Sequence, residues 1–332
     1  MKLPYVWAWT LLVCSAALAL SACSGSSSPQ RQQTQGMTMP GYVPVLRASS
    51  FSFSSPVVFG NDTSNGALQY WPARHGGGAA PTVIATLPEL QSAYAMAANG
   101  NELIITTQQP ASVILYDATT GEKTELPDPY GYPTDIAVAK DGSIYVVDTF
   151  KYKQVWNVAM YSGGTGKPHE LSCSLIGRPE FVAVDDKGNV FLNGWSRNNV
   201  LGITEIPQAG NCMELNLRVR GYPGGLAFDP KSGALLVMDN PDQCAGGVEG
   251  RLTIYPKPYK NETARSVVLG ANYCAFGLRL NASSTLLLYG DLDSNLVNRI
   301  VQQRTYPKLA PAGQYSGGSV GGFTTIPNTL PN

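Results

Sequence analysis

The side chains able to do chemistry in this chain are few, and several recur at intervals. Asp148, Asn193, Asp239 and Asp291 each close an apolar run. Residues of this kind at even spacing serve in one of two ways. They can supply oxygen ligands to a hard cation on a shared axis, or cap backbone N–H groups where a strand turns. Repetition favours capping, because a structural need returns in every unit, whereas a cation takes unlike residues from a few units. Asp135, Glu180 and Tyr94 stand at the starts of apolar runs and are the candidates to face an axis. Histidine occurs only at His75 and His169, and no Cys/His spacing of a zinc site exists. No Gly-x-Ser-x-Gly or paired-carboxylate motif stands out. Cys173, Cys212, Cys244 and Cys274 remain once Cys14 and Cys23 of the N-terminal segment are set aside. An even number of cysteines in an exported protein predicts two disulfides.

These residues are positioned by a repeat of about 45 residues. Gly131-Tyr132-Pro133-Thr134-Asp135-Ile136-Ala137-Val138 is echoed by Gly177-Arg178-Pro179-Glu180-Phe181-Val182-Ala183-Val184. Gly221-Tyr222-Pro223-Gly224-Gly225-Leu226-Ala227-Phe228 is the third copy. Each is followed by a turn containing Gly142, Gly188 or Gly233 and then a second apolar run, which reads as a hairpin. A third strand and a weaker fourth follow each hairpin. Fainter copies begin near Ala93 and Cys274, and a partial copy with three strands lies near residues 56–87. Gly321–Ile326 has the pattern of an inner strand without its blade. The expected fold is all-β: a six-bladed β-propeller of four-stranded antiparallel blades over residues 51–332, closed by the C-terminal strand. Closure removes the exposed edges of the ring.

The hairpins resemble NHL repeats, most closely at Pro133–Asp148, and that resemblance implies a fold more than a function. Gluconolactonase-family propellers hold Ca²⁺ in the channel with Glu, Asn and Asp, two of them just after a Pro-like turn. Here the matching positions are Thr134, Glu180, Gly224 and Cys274, of which Glu180 alone suits a metal. The expectation is therefore no metal and no catalytic residue, with a gluconolactonase-like hydrolase holding Ca²⁺ in the channel as the alternative. Virginiamycin-lyase-like propellers need a catalytic His, and His75 and His169 fall in or near outer turns. Blade geometry favours a Cys244–Cys274 disulfide and, by elimination, Cys173–Cys212 between outer parts of blades three and four. Free thiols are the alternative. Tyr132, Tyr222, Tyr273 and Trp195 fall near loops of one face, suited either to partner binding or to packing between blades.

Met1-Lys2 and the apolar run Val6–Leu20 form a signal-like start, too short for a comfortable membrane span of about 20 residues. Leu20-Ser21-Ala22-Cys23 resembles the lipobox of bacterial lipoproteins. The resemblance implies removal of residues 1–22, acylation of Cys23 and anchoring in a bilayer, where two or more chains hold stably and one does not. Residues 23–50 then form a tether, polar and of low complexity from Ser24 to Gln35. Ser at position 24, where Asp would retain such a protein at the inner membrane, implies the outer membrane of the cell envelope. Lys plus Arg equals Asp plus Glu at 23 each, so nucleic-acid binding has no electrostatic footing. The expected role is a monomeric, non-enzymatic binding or scaffold module for an envelope protein, peptide or glycan. Asp135, Glu180, Tyr132, Tyr222 and Trp195 are its candidate binding residues.

Overall fold

The structure is a computed structural model that describes residues 57–73, 80–149, 157–171, 173–240, 250–269, 276–292, 299–315 and 318–326. Cys23, the proposed signal and tether, His75, Cys244, Tyr273 and Cys274 lie outside the described residues.

Six four-stranded antiparallel sheets follow one another along the chain. Blade one pairs β1 (Val57–Asp62), β2 (Ala67–Pro72) and β3 (Thr82–Thr86) with the last strand, β24 (Val320–Ile326). Blade two is β4 (Ala93–Asn99), β5 (Glu102–Gln108), β6 (Ala111–Asp117) and β7 (Lys123–Pro127). Blade three is β8 (Pro133–Val138), β9 (Ile144–Asp148), β10 (Asn157–Tyr161) and β11 (His169–Leu171). Blade four is β12 (Ile176–Val184), β13 (Val190–Ser196), β14 (Leu201–Ile206) and β15 (Met213–Leu215). Blade five is β16 (Tyr222–Phe228), β17 (Leu235–Asn240), β18 (Arg251–Tyr255) and β19 (Arg265–Val268). Blade six is β20 (Phe276–Leu280), β21 (Leu286–Leu292), β22 (Arg299–Thr305) and β23 (Pro311–Tyr315). The expected architecture and closure are both present. Blade six differs in detail: its third strand, β22, runs on to Thr305, past the expected end at Gln302, and its fourth, β23, has no clear signal in a stretch rich in Pro, Gly and Ala; the expected start near Leu296 lies outside the described residues.

The apolar runs make sense once both faces of a blade are buried. Side chains alternate along a strand, so successive residues meet opposite neighbours. Val190 and Leu192 pack toward blade three, whereas Phe191 between them packs toward blade five. Among the described residues the buried apolar side chains fall into six clusters, one at each blade-to-blade interface. The cluster of Val58, Trp71, Leu288, Val301 and Phe323 seals blade six against blade one. Polar groups near the axis add ties across the same interfaces. Asn193 Nδ2 donates to Gly224 O at 2.9 Å, and Thr134 Oγ1 donates to Glu180 O at 3.1 Å. Within blade one, Asn61 Oδ1 accepts from Gly322 N of the closing strand at 2.8 Å, and its Nδ2 donates to Leu90 O in the segment leading to blade two.

Cys173 and Cys212 form a disulfide with Cα atoms 5.8 Å apart. It staples the outer edge of blade three, just past β11, to that of blade four, just before β15. The loop it closes spans 39 residues. In the chain-entropy model such a loop stabilises by about 4 kcal/mol.

Candidate functional site

Inner strands β4, β8, β12, β16, β20 and β24 surround a central channel. The upper face is the one on which inner strands begin, and the lower face carries the hairpin turns. Ala97, Ala137, Ala183 and Ala227 hold the same place in their inner strands, each following a buried apolar residue. In blade one that place is Thr324 and in blade six it is Arg279. All six line one cavity of about 400 Å³ that opens on the lower face. Five small side chains leave room for one long one, and Arg279 takes it.

Its guanidinium reaches across the axis. Arg279 Nε donates to Met96 O at 3.0 Å in blade two. Nη2 donates to Asp135 Oδ1 at 3.0 Å and to Ile136 O at 3.1 Å in blade three. Asp135 is 1% exposed, and its other oxygen accepts from Val182 N at 3.0 Å in blade four. One ion pair thus ties four blades at the centre. Above it, among Tyr94, Phe181, Phe276 and Phe323, the space shrinks to about 20 Å³. Asp135 is therefore a buried strut and does not present an open carboxylate to the channel. A cation there would have to displace the positive charge already bound to it. Among the described residues no group of three or more His, Cys, Asp or Glu side chains could hold a metal. A Ca²⁺ ion takes about six to eight oxygens, and at this channel centre both oxygens of Asp135 are already engaged, by Arg279 and by Val182 N.

The remaining candidates gather on the upper face between blades four and five. Register pairs Arg178 of β12 with Trp195 of β13. The Arg178 guanidinium lies 4.5 Å over the Trp195 ring, and its Nε donates to Glu180 Oε1 at 2.6 Å. Tyr222 meets Trp195 edge to face, with ring centroids 5.3 Å apart. Two irregularities in the β12–β13 register, between Ile176 and Arg178 and between Pro179 and Phe181, re-aim these side chains. Gly194 permits this local path: a Cβ there would sit 2.1 Å from Arg178 O. Burial pushes the Glu180 carboxyl above its ordinary value, against the pull of Arg178. Tyr132, leading into β8, is 39% exposed on the same face one blade away. His169 is exposed on β11 at the outer edge.

Of the recurrent polar residues, Asn193 makes the inter-blade tie described above. Asp239 accepts from Arg220 N at 3.2 Å and from Arg251 Nε at 3.2 Å. Asp148 and Asp291 are 1% and 3% exposed. Sequence reasoning missed Arg178 and Arg279. Both carried signals: Arg178 lies opposite Trp195 once the hairpin register is drawn, and Arg279 replaces Ala in the repeated apolar-Ala-apolar pattern.

No protein-family model matches the chain, and neither does any curated protein sequence. Solved structures do match. One from a nidogen/laminin complex shares 18% identity at a TM-score of 0.63, covering 83% of this chain and 100% of its own. The fold is the six-bladed β-propeller. TolB from Acinetobacter baumannii matches at 12% identity and a TM-score of 0.60, covering 82% of this propeller chain and 67% of its own. A gluconolactonase from Xanthomonas campestris matches at 12% identity and 0.50, covering 74% and 85%. At these identities the likeness is one of fold, and function rests on the site.

Proposed function

We propose that this chain is a lipid-anchored bacterial envelope protein whose propeller, residues 51–332, binds a protein, peptide or glycan on its upper face. The observation that carries the binding role is the Tyr222–Trp195–Arg178–Glu180 array. An aromatic pair, a guanidinium stacked on it and a carboxylate holding that guanidinium form a contact surface set in place before any partner arrives. Such a surface combines apolar area at low entropic cost with charged hydrogen-bonding groups. The nidogen structure, solved in a complex with laminin, is a propeller of this fold with a protein partner. Anchoring is supported by Cys23 after the apolar run and by the polar segment that follows. As a random-coil tether, the roughly 30 residues between Cys23 and the first strand would span about 30 Å, keeping the propeller near the bilayer.

The test is photo-crosslinking in the native envelope from a crosslinker placed at Tyr132, compared with one at Val83, which is 54% exposed on an outer strand. Defined adducts from position 132, absent from position 83 and lost in Trp195→Ala, are expected. Equal adducts from both positions, or adducts that survive Trp195→Ala, would sink the upper-face assignment. For the anchor, Cys23→Ser is expected to abolish fatty-acid labelling, and unchanged labelling refutes it.

A further inference from the structure

A second site lies outside the channel, on blade five, and adjoins the aromatic array at Arg220, which precedes Tyr222 by two residues. The segment after β15 crosses from blade four to the start of β16 in blade five. Its residues alternate. Leu215, Leu217 and Val219 pack against the blade four–five core, which leaves Arg218 and Arg220 on the opposite side. Both line a pocket of about 220 Å³ together with Arg251 of β18. Asp239 is the one carboxylate lining that pocket among the described residues. Its Oδ1 accepts from Arg251 Nε and its Oδ2 from the backbone N–H of Arg220. The side chains of Arg218 and Arg220 have no ion pair among the described residues. Three guanidiniums thus face one carboxylate, in a chain whose net charge is zero.

The pocket is built before any ligand arrives. Tyr255 Oη donates to Arg218 O at 2.8 Å, and Asn261 Oδ1 accepts from Arg218 N at 2.8 Å. Asn261 Nδ2 donates to Asn216 O at 2.8 Å. The backbone carrying Arg218 and Arg220 is therefore pinned to blade five at several points, which lowers the ordering cost of binding. Thr253 and Ser266, with hydroxyl oxygens 2.9 Å apart, add neutral donors to the wall. Guanidinium forks match tetrahedral oxyanions bidentately, and several of them around one space select for more than one negative charge. The volume is several times the ~30 Å³ share of a water molecule, room for an oxyanion and the first atoms of its carrier.

We infer that Arg218, Arg220 and Arg251 form a binding site for a phosphate group, free or carried as an ester. Calorimetric titration of the full chain in detergent at low ionic strength, with inorganic phosphate and then with glycerol 3-phosphate, tests it. One saturable site is expected, lost at least tenfold in R218Q/R220Q and unchanged in Lys167→Gln on blade three. Tighter binding of the ester identifies a carried group, and equal binding identifies the free ion; either supports the site. Asp239→Asn removes the competing carboxylate and should tighten phosphate severalfold, a gain that damage to the fold cannot imitate. Absence of saturable binding, full binding by R218Q/R220Q, or unchanged or weaker binding by a folded Asp239→Asn overturns the inference.

Discussion

The two ends of the channel are made by the same six strands, yet one is filled and the other open. Toward the upper face, aromatic side chains and the Arg279–Asp135 pair leave about 20 Å³. Toward the lower face, four alanines and Thr324 leave a cup of about 400 Å³. The difference comes from a few side chains set on a repeated backbone. A propeller of this size can use one end of its axis as structure and leave the other free, and here the structural end lies beneath the aromatic array. The upper face is thereby stiffened where partners are proposed to bind.

Arg279→Met should have the largest effect. It leaves Asp135 buried and unpaired and cuts the tie from blade six to blades two and three. Loss of one partner of a buried ion pair costs about 3–5 kcal/mol, readable in urea denaturation. Arg279→Met/Asp135→Asn should recover part of that loss. A single variant as stable as the parent would show that the filled end is not a structural centre.

Next in size is Gly194→Ala. The added Cβ would meet Arg178 O, and relief requires β12 to move. Overpacking of this kind costs about 1–3 kcal/mol. The Trp195 fluorescence should change as Arg178 leaves its ring, and an unshifted spectrum would contradict the close approach.

Glu180 gives a smaller, pH-dependent effect. Its folded-state pKa is raised by burial. The stability it contributes is fully present below the unfolded carboxylate value of about 4.3 and is lost as pH rises through the higher folded value. Glu180→Gln should therefore gain on the parent between mildly acid and neutral pH in melting experiments. An identical pH profile in the two proteins would place Glu180 in water.

At the open end, Ala227→Ser should change stability by no more than about 0.5 kcal/mol, since the side chain borders free space. Ca²⁺ should leave the melting temperature where it is. A Ca²⁺-dependent rise would reopen the gluconolactonase-like alternative and require Asp135 to exchange Arg279 for the ion.

Much of this fold was legible because a propeller writes each blade separately into the chain. Pro133–Asp148 and its two echoes locate three inner hairpins, and Gly321–Ile326 declares the closing strand. β23 was not legible, because Pro311, Ala312 and Gly313 carry no strand pattern; Pro311 and Gly313 pair with β22 only around an irregularity in the register. The site was legible by residue type and less so by partnership. Trp195, Tyr222 and Glu180 were apparent as candidates, and Tyr132 as a neighbour on the same face. Asp135 looked like a channel ligand because its partner comes from blade six, 144 residues away. A contact across the axis leaves no local pattern. Its one trace is an arginine in a place where four other blades have alanine.

The closing strand also sets an order in time. Asn61 and Gly322, which bond across the seam, are separated by 261 residues. At a synthesis rate of about 5–20 residues per second, β1 exists for roughly 13–50 s before its inner partner is made. Through that interval Val57–Asp62, a strand buried throughout in the finished ring, offers an unpaired edge to any extended chain that passes. A nascent propeller of this design needs its first strand guarded until its last one arrives.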